Sequence, residues 1–277
     1  EPGGILDPIK GCVHDAPRSW FASTWSGADL ELTAVAFLPD GALLVQSREP
    51  AALVLLDADG QGVLKRADLS ARSVEDSGHR LFHQNVGAGI ACASCHGEVL
   101  DDGHVWSFTG LGPRRTQGLR GGLLGREPFH WDGDLATFDD LVGEVMMRRM
   151  RSFEIAPQFA EALAQWIHVQ PAVRVAGSDL ASLARGKEIF ESTEAGCVSC
   201  HGSDGQPLAP SFDVGTGGPF QVPSLEGLAL RAPYMHDGCA QDLSERFEPG
   251  CGGDRHGDMS HLDHPQLQDL VHYLETL

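Results

Sequence analysis

The chain has 277 residues, seven cysteines and a formal net charge of -19. This acidic balance argues against nucleic acid and anionic membrane surfaces as partners, because both require clustered lysine and arginine. It favours a basic redox partner, because long-range attraction would speed the encounter of the two proteins. The alternative is that the charge serves solubility alone. No run of about 18 apolar residues occurs, so we expect no membrane insertion.

Residues 1–70 are predicted to be rich in β-structure. Three apolar segments are predicted as strands at 30–38, 42–47 and 52–57; Asp40-Gly41 forms the turn after the first, and Asp59-Gly60 closes the third. The pattern resembles one blade of a β-propeller, and a single blade cannot bury both of its faces. The segment therefore either packs on the rest of the chain or follows further blades upstream, and we favour the second alternative.

The pentapeptide C-x-x-C-H occurs twice, beginning at Cys92 and at Cys197. It is typical of covalent haem c attachment, in which both thiols bond to haem vinyl groups and the histidine ligates iron. A zinc half-site would need further ligands at suitable spacing, and a redox pair would need a βαβ context. We expect two haem c groups and, because attachment occurs on the export side, a periplasmic or otherwise exported protein. The expected attachment residues are Cys92, Cys95, Cys197 and Cys200, with His96 and His201 as iron ligands.

Helical patterns flank both motifs. The pattern Gly-x-x-apolar-Phe precedes each of them, at 78–82 and at 186–190. It resembles the N-terminal helix of class I cytochromes c. Each half also ends in an amphipathic pattern with apolar residues at helical spacing. These terminal helices are predicted at 156–169 and 265–277.

The two halves repeat each other beyond the haem motif. Cys92 lies 36 residues before Pro128, and Cys197 lies 36 residues before Pro233. An equal offset at two sites indicates a duplicated unit. We therefore predict a mainly α fold, in which tandem cytochrome c domains at 73–172 and 173–277 follow the β-rich segment.

Three cysteines lie outside the haem motifs. Cys239 and Cys251 flank a loop that contains Gly and Pro, and we expect a disulfide between them, because an oxidising compartment permits one. Cys12 is then left over, either free or paired outside this chain.

Two strings carry a resemblance to a known family. They are P-F-H-W-D-G at 128–133 and V-P-S-L-E-G-L-A-L-R-A-P-Y-M-H-D-G at 222–238. Over residues 73–277 the chain resembles the bacterial diheme cytochrome c peroxidase and MauG superfamily. The resemblance implies that peroxide reacts at the N-terminal haem and that the C-terminal haem takes in electrons or stores oxidising equivalents. It also implies a calcium ion near the domain interface and a small redox protein or a protein substrate as partner.

The same resemblance suggests roles around the first haem. Trp106 matches the tryptophan that couples the two haems, and Asp140 matches the acid that moves a proton on peroxide, with Glu144 as an alternate. His130 is a candidate for the distal pocket, and His104 for a closing axial ligand. The alternatives are a core tryptophan, a solvated acidic helix face and hydrogen-bonded structural histidines.

The second haem departs from the family pattern. The position that supplies a Met or Tyr ligand in the family is Gly250 here, which cannot ligate iron. His256 and Met259 are the nearby candidates, and we favour His256, which would lower the potential relative to Met. Planar guanidinium groups suit haem propionates, with surface charge as the alternative role. The candidates are Arg114, Arg115, Arg126 and Arg231.

The sequence thus favours a diheme oxidoreductase that reduces hydrogen peroxide or oxidises a protein residue. The alternative is an electron-transfer module in which both irons have six ligands. The spin state of the first haem distinguishes the two.

Overall fold

The computed structural model describes residues 30–86, 89–208 and 211–277. The predicted leftover thiol, Cys12, lies outside these residues. Of the described residues, 30–76 form one compact unit and 77–277 form another. No helix in the described part of the chain is long and apolar enough to cross a membrane.

The first unit is a four-stranded antiparallel sheet in the order β1-β2-β3-β4. Val45 on β2 and Val54 on β3 pair directly and are buried with Leu56. Three of the strands were predicted; the fourth was missed because its side chains are all exposed and include charged residues, so it has no apolar pattern. The relation to a propeller blade stays a prediction. The strands are β1 Leu32–Phe37, β2 Leu43–Ser47, β3 Ala52–Leu56 and β4 Val63–Asp68.

The second unit contains all six α-helices of the described residues and two short hairpins. The described residues combine these six helices with antiparallel sheets, so the predicted mainly α class holds only in part. The helices are α1 Ser77–His83, α2 Phe138–Leu141, α3 Pro157–His168, α4 Leu180–Glu191, α5 Val198–His201 and α6 His264–Leu274. A π-helix, Val142–Arg149, continues α2 directly. The hairpin strands are β5 Val105–Phe108, β6 Gly112–Arg115, β7 Ser211–Asp213 and β8 Pro219–Gln221.

Helix α1 packs on α3, and α4 packs on α6. A glycine makes each close approach possible. A Cβ atom on Gly78 would lie 2.3 Å from the carbonyl oxygen of Ala162, and one on Gly186 would lie 2.0 Å from that of Asp269. Both glycines open the predicted Gly-x-x-apolar-Phe pattern, whose phenylalanines, Phe82 and Phe190, are almost fully buried. Each helix pair thus closes one apolar core.

The local geometry repeats downstream of both motifs. Phe129 bridges Leu135, and Tyr234 bridges Ala240, each across the tight turn of a D-G sequence. The next residues, His130 and Met235, have backbone φ angles of 69° and 72°. The equal spacing seen in the sequence therefore corresponds to equal backbone conformation. The domain boundaries themselves stay predictions.

Candidate functional site

A cavity of about 350 Å³, here called the C-terminal cavity, lies against Cys197, Cys200 and His201. This volume is in the range of small-molecule and cofactor sites. His201 is buried, and its Nδ1 donates a hydrogen bond to the carbonyl oxygen of Pro223 at 3.2 Å. Such a bond fixes the tautomer of a metal-ligating histidine and leaves Nε2 free to bind. Burial lowers the pKa of His201 to about 4, so the ring is neutral, which is the form that ligates metal.

A second histidine, His256, lines the same cavity close to His201. The rings of His201 and His256 have centroids 6.2 Å apart and planes tilted by 32°. Imidazole nitrogens bind first-row metals such as zinc at about 2.0–2.1 Å, and two rings on opposite sides of one iron would have centroids about 6 Å apart. The Nδ1 atom of His256 is buried and has no hydrogen-bond partner among the described residues. Burial and the neighbouring Arg246 lower the pKa of His256 well below its usual value. The donor set therefore fits an iron between the two rings.

Met259, the other candidate ligand, is buried in the core of this half and does not line the cavity. Gly250 is exposed in a single turn of 3₁₀ helix, Pro249–Cys251. The predicted disulfide between Cys239 and Cys251 is present, with Cα atoms 5.8 Å apart. It anchors the loop that precedes His256.

The N-terminal cavity, of about 380 Å³, lies against Cys92, Cys95 and His96. None of the four motif cysteines is in a disulfide, so each is available for covalent attachment. Burial raises the pKa of Cys92 to about 11, which is the reverse of what a reactive redox thiol requires. No cluster of three or more His, Cys, Asp or Glu suited to a metal ion occurs among the described residues. The donors thus fit thioether attachment of haem better than a zinc site or a dithiol.

His130 and Arg149 line the N-terminal cavity. His130 Nδ1 lies 3.1 Å from Asp134 Oδ1, and burial together with the charge of Arg149 lowers the pKa of His130. The guanidinium of Arg149 lies over the ring of Phe108, 5.2 Å from its centroid. A neutral base and a fixed positive charge therefore border the same cavity.

Asp140, Glu144 and His104 do not line the cavity. Asp140 is exposed and forms a capping box with Thr137, the N-cap residue of helix α2, because its Oδ2 accepts hydrogen bonds from Thr137 N at 2.9 Å and Thr137 Oγ1 at 2.8 Å. Glu144 is paired with Arg148 and Arg149, which lower its pKa to about 2. The ring of His104 packs against Trp106 instead.

Two tryptophans differ in position. Trp106 lines only the N-terminal cavity, where its indole N–H donates to Thr116 Oγ1 at 3.0 Å. Trp131 is buried, lines both cavities and donates from its indole N–H to the carbonyl oxygen of Arg115 at 2.7 Å. The W-D-G turn that contains Trp131 carries part of the family resemblance, but no role for Trp131 was predicted from it. Its position between two motif repeats was the available signal.

The four candidate arginines differ in their ion-pair partners and in the cavities that they line. Arg114 makes a bidentate pair with Asp132, with N–O distances of 2.6 and 3.0 Å. Arg126 lines the N-terminal cavity and pairs with Glu226 at 3.2 Å. Arg115 and Arg231 line both cavities.

A comparison with known protein families identifies one domain of the chain. Residues 183–277 match the cytochrome c family and form a cytochrome c domain, which implies covalently bound haem c. Proteins with this domain are typically exported.

The chain is homologous to hydrazine synthase subunit gamma of Kuenenia stuttgartiensis, with 28% identity over 256 residues, covering 68% of this chain and 72% of the relative. A structure of Kuenenia stuttgartiensis hydrazine synthase pressurised with xenon superposes with a TM-score of 0.64 and 24% identity, over 72% of this chain and 86% of that one. A MauG-like protein associated with microbial copper homeostasis superposes with a TM-score of 0.56 and 20% identity, over 76% and 94%. The superpositions establish a shared fold, and the domain and the homology together indicate a haem-based redox function.

Proposed function

We propose that the protein is an exported diheme oxidoreductase that reduces hydrogen peroxide at its N-terminal haem and receives electrons at its C-terminal haem. One observation carries the proposal. His201 and His256 both line the C-terminal cavity with ring centroids 6.2 Å apart, whereas no ring pair involves His96 among the described residues. The chain thus offers a close pair of candidate histidine ligands at the C-terminal cavity and no such pair around His96 at the N-terminal cavity.

This difference between the two cavities suggests that one serves electron transfer and the other reacts with peroxide. If His201 and His256 both held the C-terminal haem, that haem would suit electron transfer. At the N-terminal cavity His96 would hold the haem, which would supply the chemistry of peroxide reduction when bound. A small basic redox protein is the expected electron donor, because this chain is acidic.

His130 is the residue proposed to move the proton in place of Asp140 and Glu144. Its neutral imidazole accepts a proton from hydrogen peroxide and returns it to the leaving oxygen. Arg149 stabilises negative charge that develops as the O–O bond breaks. The balance is one peroxide, two electrons and two protons to two waters, with the electrons delivered by the partner.

Trp131 is proposed to couple the two sites in place of Trp106. It lines both cavities, and its indole is held by the carbonyl oxygen of Arg115. The expected calcium ion stays a prediction, since the described residues contain no suitable cluster of ligands.

The test is the spin state of each haem and its response to peroxide. Mass spectrometry should show two covalent haems, and electron paramagnetic resonance should show one high-spin and one low-spin ferric signal. Hydrogen peroxide should change the high-spin signal rapidly. A protein with two low-spin haems that is silent to peroxide would instead be an electron-transfer module.

The homology to hydrazine synthase subunit gamma favours a second candidate, in which this chain is one haem subunit of a larger enzyme. That alternative keeps the high-spin haem but predicts no peroxide turnover by the isolated chain. Steady-state reduction of peroxide with a reduced cytochrome as donor distinguishes the two candidates.

A further inference from the structure

Two arginines lie where the two cavities adjoin. Arg115 and Arg231 each line both cavities. The side chain of Arg115 is 3% exposed and donates to Asp101 Oδ1 at 2.6 Å and to the carbonyl oxygen of Thr116 at 2.7 Å. Arg231 donates from Nη1 to the carbonyl oxygen of Ser224 at 2.6 Å.

The charges at this position do not balance. Asp101 is also 3% exposed and pairs with Arg115, but no carboxylate among the described residues pairs with Arg231. Two guanidinium groups therefore face one carboxylate, which leaves one positive charge in excess, on the half-buried Arg231. Burial and the nearby charge of Arg115 lower the pKa of Arg231 to about 10, so it still carries its charge at neutral pH. Buried charges are otherwise paired, because desolvation of an isolated ion is costly.

Donor atoms remain unused at the same place. The Nε atoms of Arg115 and Arg231 are both buried and have no hydrogen-bond partner among the described residues. A guanidinium offers its donors in a fork that matches a carboxylate. Asp101 Oδ2 is likewise buried without a partner, but it belongs to the carboxylate that already pairs with Arg115, so the excess positive charge and the two unused Nε donors fit an anion that enters from the cavities.

We propose that Arg115 and Arg231 form one carboxylate-binding site that is shared by a propionate from each haem, and that this site sets the reduction potentials of both haems together. The inference rests on the proposed two-haem function. It differs from separate propionate sites, because a single positive charge at the boundary acts on both irons.

The test is a spectroelectrochemical titration of both haems in Arg231→Gln. Loss of the positive charge should favour the oxidised state at both irons, and we expect both midpoint potentials to fall. A tenfold change in each reduction equilibrium corresponds to about 59 mV. Arg231→Lys, which keeps the charge, should shift both potentials less. Arg246→Gln is the matched control, because Arg246 lines only the C-terminal cavity, so only that haem should respond.

A second variant tests the same idea with the opposite sign. Asp101→Asn is isosteric and removes the negative charge that offsets Arg115, so both potentials should rise. Two covalent haems with an unmoved potential at either iron in both Arg231→Gln and Asp101→Asn would overturn the shared site and leave the proposed function standing. A single covalent haem by mass spectrometry would instead refute the proposed function itself.

Discussion

Replacing Gly186 with alanine adds only one methyl group, but we expect it to lower the free energy of unfolding substantially. Gly186 lies on α4 where it crosses α6. The added Cβ would lie 2.0 Å from the carbonyl oxygen of Asp269, 2.6 Å from its carbonyl carbon and 2.8 Å from Tyr273 Cβ. Ordinary contact is 3.4–4 Å. Since two of these atoms belong to the backbone, no side-chain rotation relieves the clash.

The magnitude follows from that geometry. Helix α6 must move away by roughly 1 Å or more in a densely packed interior. Overpacking of this kind costs about 1–3 kcal/mol. For a chain of this size each kcal/mol lowers Tm by about 2–4 °C, so a decrease of about 2–12 °C is expected. Because Leu270 and Leu274 of α6 line the C-terminal cavity, the low-spin spectrum proposed for the haem at that cavity should also weaken.

Differential scanning calorimetry of the haem-loaded protein measures the effect. Gly143→Ala is the control, since Gly143 is also helical and a Cβ there would meet no atom within 4 Å. That variant should be neutral or more stable by about 0.4–1 kcal/mol, because alanine restricts the unfolded chain. If Gly186→Ala melts at or above the wild-type temperature, the helix crossing is not as close as described.

Further outcomes are expected. His256→Ala should convert the low-spin haem to high spin in electron paramagnetic resonance without loss of haem. Asp140→Ala should lower the free energy of unfolding by about 1 kcal/mol in urea titrations, through loss of the helix cap, and leave the peroxide rate unchanged. The peroxide rate, followed by stopped flow, should fall as pH drops through the lowered pKa of His130, because only the neutral ring accepts a proton. Arg149→Gln removes a charge that lowers this pKa, so the fall should then begin at a higher pH. Trp131→Phe should slow electron transfer between the haems in flash photolysis, whereas a wild-type rate would remove Trp131 from the route.

Features formed by residues that lie close together along the chain could be predicted from the sequence. The C-x-x-C-H motifs place two thiols and an imidazole together whatever surrounds them. The Gly-x-x-apolar-Phe patterns mark the helices that cross, since only glycine lets two backbones approach so closely. The disulfide joins Cys239 and Cys251 across a short loop, and His256 follows closely enough to be a candidate ligand.

Only the tertiary structure decided which side chains reach each cavity. Asp140 and Glu144 lie near the first motif repeat but point elsewhere, because one caps a helix and the other pairs with arginines. Glu144 lies on a π-helix, in which hydrogen bonds join residue i to residue i+5. Side chains four positions apart therefore do not share one face as they would on an α-helix, so α-helical spacing does not predict where Glu144 points. Trp131 and Arg231 are 100 residues apart, and their place at the boundary of both cavities depends on how the two halves pack. Long-range packing of this kind leaves no local pattern in the chain.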